Sequence, residues 1–370
     1  MDFNVHVKPV LSDRCFACHG PDGPARKAGL RLDRREDALA ELPSGRRAVV
    51  PGRTARSELV ARILSDDPAH TMPPPESRLV LSDFEKAVLV RWIDEGAEWK
   101  PHWAYVPPAR PRPPEVGEGA WGRNEIDRFV LATLRAKGLE PAEEASRETL
   151  LRRVTLDLTG LPPTLEEIDA FLADDSPGAY GAVVDRLLAS PAYGERLAAE
   201  WLDVARYADS HGYQDDGMRE MWPWRDWVIA AFNDNLPFDQ FVTWQLAGDL
   251  LAEPTREQRL ATGFSRNHMQ SQEGGIVPEE YRTEYVADRV NTLGRAFLGV
   301  SVECARCHDH KYDPVSQEEY FRLFAFFNGV NETGQIPYSG IPSPTVIVLD
   351  EESEARLADL HERMAALEAD

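Results

Sequence analysis

All four cysteines of the 370-residue chain fall in one repeated pentapeptide. Cys15-Phe16-Ala17-Cys18-His19 opens the sequence, and Cys304-Ala305-Arg306-Cys307-His308 lies near its end. C-x-x-C-H is the attachment pattern of c-type haem. Thiols at i and i+3 project from one helical turn toward two vinyl groups, and the adjacent histidine offers an imidazole to the iron. With this cysteine and histidine content, roughly 0.001 copies are expected by chance. The expectation is two covalent haem c groups, held by Cys15, Cys18, Cys304 and Cys307, with His19 and His308 as iron ligands. A structural zinc site fits less well, because Cys18 and Cys304 are 286 residues apart, unlike the ligand pairs of compact zinc modules. A thioredoxin-like dithiol requires a βαβ setting that neither motif has.

The length favours two domains. The formal net charge of -22 argues against non-specific nucleic-acid binding, which needs a basic face, and suits a basic redox partner protein or an uncharged substrate better, without choosing between them. No apolar run approaches the roughly 20 residues that cross a bilayer, so no integral membrane span is expected. Haem attachment of this kind implies export to the periplasm or cell surface, yet Met1-Asp2-Phe3-Asn4 starts no secretory signal. Composition leaves the oligomeric state open.

The organisation reads as all-α. Residues 1–100 form a small haem module. Within it Ser82 N-caps a helix through Trp92, with Phe84, Val88, Leu89 and Trp92 along one face. Residues 101–123 are a proline-rich linker, since Pro107-Pro108-Ala109-Arg110-Pro111-Arg112-Pro113-Pro114 cannot be helical. Residues 124–335 are a larger helical domain containing the second motif. Its first helix carries an apolar stripe of Ile126, Phe129, Val130 and Leu134 that Gly138 ends. In the tail, 336–370, Val346 to Leu349 reads as a short strand, and a charged helical run follows from Glu351. That run suggests the start of a further region.

Distal iron ligands are harder to place. Met72 lies 53 residues after His19 and is followed by three prolines that stiffen its loop. A thioether there favours Fe(II) and raises the potential. His70 shares its face in an extended segment and competes with it. For the second haem the candidates are His268 and Met269, then His211, Met218 or Met221. His310, two residues after His308, diverges from it by about 200° on a helix and cannot cap the same iron.

Several stretches resemble the planctomycete-type cytochrome c proteins, which join an N-terminal class I-like cytochrome c module to a larger domain with its own C-x-x-C-H. They are Val7 to Gly20, Met72-Pro73-Pro74, Trp92 to Ala97, Arg152 to Pro163, Arg206 to Asp209, and Cys304 to Pro314. The resemblance reaches to about Val330. It implies haem at both motifs and periplasmic or cell-surface placement, and says little about substrate. Members usually carry a signal peptide and a further C-terminal domain.

Three functions are compatible with these residues. The leading one is electron transfer between the two haems and an outside partner. The second is a haem-dependent oxidoreductase acting at the second haem, with Asp209, Tyr213, Asp215, Asp216, Trp222 and Trp224 lining a site. The third is a binding or scaffold module whose haems are structural.

Overall fold

The computed structural model describes residues 1–117, 121–338, 341–349 and 351–369. In chain order its α-helices are α1 (Lys8–Arg14), α2 (Phe16–His19), α3 (Arg35–Leu39), α4 (Glu58–Ile63), α5 (Asp83–Asp94) and α6 (Glu125–Ala136). Then come α7 (Arg147–Thr159), α8 (Leu165–Ala173), α9 (Ala179–Leu188), α10 (Pro191–Ala205), α11 (Trp222–Asn233) and α12 (Phe238–Ala247). The last are α13 (Arg256–Ala261), α14 (Pro278–Leu293), α15 (Gln317–Asn328) and α16 (Glu351–Ala369). Only isolated β-bridges occur among the described residues, so the fold is all-α, as the patterning predicts. Val346 to Leu349 is the exception: it forms no strand. An extended run becomes a strand only when a neighbour pairs with its backbone groups.

The chain divides into two compact units. The first is Met1–Pro141 together with Val300–Leu323; the second is Ala142–Gly299 together with Phe324–Asp370. The segment bearing the second cysteine motif thus belongs to the same unit as the N-terminal module.

In the first unit, the core is built on Phe3, Val7, Leu11 and Phe16 against Val88, Leu89, Trp92 and Ile93 of α5. Phe3, Trp92 and Trp99 pack ring to ring, with centroids 4.6 to 5.9 Å apart. Ser82 caps α5 through a full capping box with Glu85. Phe84 departs from the expected face and is 73% exposed. Glu85 in the same turn is tied to Arg14 at 3.0 Å. The stripe on α6 also departs from expectation: Ile126, Phe129 and Val130 are exposed, and Leu131 alone is buried on that helix. Helical periodicity finds a face, but only neighbours decide whether it is covered.

In the second unit, Trp201 of α10 sits among Phe241, Phe264 and Phe297, with centroids 5.1 to 5.8 Å away. Trp224 and Trp227 of α11 belong to the same core. Helices α10 and α11 approach closely at Gly194, where an added Cβ would lie 2.5 Å from the Ile229 carbonyl oxygen. The Gly194 N–H donates to Asn233 Oδ1 at 2.9 Å, so the same contact is hydrogen-bonded.

Candidate functional site

The two cysteine motifs share one hydrogen-bonded turn. In the first, the Cys18 N–H donates to the Cys15 carbonyl at 3.1 Å, and the His19 N–H donates to the same oxygen at 2.8 Å. In the second, Cys307 and His308 both donate to the Cys304 carbonyl at 3.3 Å. Each turn therefore puts two thiols on one side and a histidine directly after them, although the first is α-helical and the second a 3-10 turn. All four thiols are unpaired. Gly20 closes the first turn where a side chain cannot go, since a Cβ would meet the Phe16 carbonyl oxygen at 2.4 Å.

The histidines have the chemistry that iron ligation needs. His19 is half-buried, and burial lowers its pKa, which favours the neutral ring that can donate a lone pair. Its Nδ1 is buried with no hydrogen-bond partner. His308 is exposed, and its Nδ1 lies 2.9 Å from the Asp309 carbonyl oxygen. A carbonyl only accepts, so Nδ1 carries the proton and Nε2 keeps its lone pair, the arrangement of a metal-bound imidazole. Burial pushes the Cys15 thiol up to about 12, so in the folded chain it stays protonated rather than thiolate. These residues fit a covalently held haem. Such a group would supply one-electron transfer at its iron, and Cys15, Cys18 and His19 would hold it. By contrast, no three His, Cys, Asp or Glu side chains among the described residues are placed to hold a bare metal ion.

His310 has a different role. It is buried, and its Nδ1 accepts from the backbone N–H groups of Tyr312 at 3.2 Å and Asp313 at 2.8 Å. The His310 backbone N–H donates to the Val315 carbonyl at 2.8 Å. The imidazole pins the turn after the second motif, and the Nδ1 lone pair is spent on backbone. The carboxylate of Asp313 in that turn lies 3.1 Å from His102 Nε2. The His102 Nδ1 accepts from the Ala104 N–H at 3.2 Å, so Nε2–H is the donor to Asp313. Burial lowers the Lys8 pKa, and the charge of Asp313 partly offsets it. The hydrogen bond to Asp33 raises the Arg31 pKa, with Asp309 among the weaker charges that add to it.

The proposed distal residues sit as follows. Met72 is half-buried, with its N–H held by the Arg62 carbonyl at 3.1 Å. His70 is exposed, and its Nδ1 lies 2.8 Å from Asp67. His268, Met269, His211, Met218 and Met221 all belong to the second unit. Of these, Met218 is 79% exposed, Met221 packs on the Trp224 core, and His211 is buried. Met269 lines a cavity with Tyr213, Tyr285 and Asp288. The acidic and aromatic residues expected to line a site are dispersed. Trp224 is core and donates to the Ala261 carbonyl at 3.1 Å, whereas Asp209 accepts from Tyr207 and Asp215 from Tyr338.

His268 belongs to a buried charge network that sequence reasoning misses. Glu332 accepts from Arg289 through both oxygens, one at 2.6 Å, and from Arg266 at 2.8 Å. The His268 Nε2 lies 3.6 Å from the same carboxylate. Burial opposes the charge on Glu332, but Arg289 and then His268 outweigh it and hold the carboxyl well below its usual range. Burial pushes the His268 imidazole down to about 3. Arg219 donates to the carbonyls of Ala208, Asn267 and His268 at 2.9 to 3.2 Å. Arg206 pairs with Asp288. The sequence signal was available in the scattered Arg206, Arg219, Arg266 and Arg289, but nothing in their spacing pointed to one site.

No curated protein and no solved structure matches the chain. Residues 15–76 match the family model described as Planctomycete cytochrome C, and no helix of the described residues is long and apolar enough to cross a membrane. Residues 125–332, more than half of the chain, match the model described as protein of unknown function DUF1549. The chain is thus a planctomycete-type cytochrome c, a member of the DUF1549 family that carries a cytochrome c module at its N-terminal end.

Proposed function

We propose that this protein carries two covalent haems and transfers electrons between them and a redox partner protein, in the periplasm or at the cell surface. The observation that supports this best is the repeated turn. All four cysteines lie in it, and the backbone hydrogen bonds of the first motif recur in the second. Met72 is the proposed distal ligand of the first haem. Its loop is stiffened by Pro73, Pro74 and Pro75 and anchored on Arg62, whereas His70 is turned to solvent beside Asp67. The test is haem stoichiometry in a host that exports the chain and attaches haem. The expected result is two haems per chain that survive denaturing electrophoresis, and one haem after Cys304→Ala with Cys307→Ala. Stoichiometric zinc without visible absorbance would end the proposal.

A second reading has one observation in its favour. The histidines beside the second motif, His310 and His102, spend their Nδ1 lone pairs on backbone N–H groups. Neither offers a nitrogen to the second iron, and a haem there with no protein ligand on its other side would bind a small ligand, as a haem oxidoreductase needs. Rapid carbon monoxide binding at one of two haems in the reduced protein supports this reading, and its absence at both supports pure electron transfer.

A further inference from the structure

The two motifs, so far apart in the chain, share the wall of one cavity. Phe16, Ala17 and Asp22 line it from the first motif and the residues after it; His308, Asp309 and Lys311 line it from the second. Phe16 and Ala17 stand between Cys15 and Cys18, and His308 follows Cys307, so the wall is made by the two motifs together with the residues that follow them. All six residues belong to the first unit.

A charged anchor holds this arrangement. Asp313 receives the Nε2–H of the largely buried His102 at 3.1 Å. The half-buried Lys8 of α1 lies within its electrostatic reach. Lys8 and His102 come from the N-terminal part of the chain, so Asp313 ties the turn after the second motif to the module that carries the first. Removing its charge leaves the half-buried Lys8 ammonium without that counter-charge and weakens the charge-assisted bond from the His102 Nε2–H. Either loss costs more than an exposed pair would.

We propose that the haems of the two motifs form one electronically coupled pair within the first unit, and that Asp313 is the positioning residue that holds them in register. This rests on the reading that both motifs carry haem. An electron then passes from one iron, which is oxidised, to the other, which is reduced, with no bond made or broken. Neither the second unit nor an outside carrier takes part in that step.

The experiment uses the full chain, matured in an exporting host. Haem is counted by the pyridine haemochrome, and circular dichroism of the reduced protein is recorded across the Soret band. Two haems and a bisignate Soret couplet are expected. The couplet should be absent from the sum of the spectra of the two single-haem variants, Cys15→Ala with Cys18→Ala and Cys304→Ala with Cys307→Ala. Asp313→Asn should keep both haems and lose the couplet, and Asp313→Glu should restore it. Should the single-haem variants not fold, paramagnetic resonance of the oxidised wild type replaces them, and dipolar broadening is the expected result. Two haems with an additive spectrum, or with no broadening, overturn the coupled pair while the two-haem reading stands. A single haem per chain overturns both.

Discussion

His268 makes the second unit sensitive to acid. The imidazole is fully buried beside Arg289 and Glu332, and burial lowers its pKa from 6.5 to about 3. In the unfolded chain the same ring titrates near 6.5. A base whose folded pKa is depressed stays neutral while the unfolded chain takes up a proton. Its contribution to stability is therefore complete above pH 6.5 and is lost as the pH falls toward 3. The loss is about 1.4 kcal/mol per pH unit, so between pH 7 and 4.5 this residue removes about 3 kcal/mol. Below 4.5 Glu332 joins in the same direction, because its depressed carboxyl pKa makes its stabilisation disappear as acid protonates the unfolded chain first. The perturbation is His268→Gln, which keeps a polar side chain beside Glu332 and removes the titration. The assay is urea unfolding of the haem-loaded protein followed by helical ellipticity, at half-unit steps from pH 7 to 4.5. The wild-type free energy should fall more steeply than that of the variant, and the two curves should converge by about 3 kcal/mol. Parallel curves over this range would refute the reasoning, because other groups would then carry all of the acid sensitivity.

Other outcomes follow from the same structure. Glu332→Ala strands the buried Arg289 and Arg266 guanidiniums and should cost about 3 to 5 kcal/mol, read as a drop of about 6 to 20 °C in the midpoint of thermal unfolding. Gly194→Ala drives a methyl into the Ile229 carbonyl and the Asn233 amide, so it should destabilise by about 1 to 3 kcal/mol in urea titration, with haem content unchanged. Met72→Ala should keep the haem of the first motif attached and lower its potential by on the order of 100 mV in a spectroelectrochemical titration, with loss of the sulfur-to-iron charge-transfer band. His70→Ala should leave that band in place, and the opposite result would assign His70 as the ligand.

The cysteine motifs, the helical class and most helix limits were determined by the sequence, because each depends on residues within one or two turns of each other. C-x-x-C-H is complete in five residues, and the capping boxes at Ser82 and Thr164 are complete in four. The strand reading of Val346 to Leu349 failed for the complementary reason: pairing is not a property of the run itself. The placement of Phe84, Ile126, Phe129 and Val130 in solvent likewise depended on what packs beside them. Tertiary structure alone decided the functional arrangement. It made His310 a pin for its turn and bound His268 to Glu332, a residue 64 positions away. It also put the second cysteine motif beside the first, in the unit where Asp313 meets His102 and Lys8. Pairings between charged groups leave no periodic trace in a sequence, since burial and distance set their strength, and both arise only when the chain is folded.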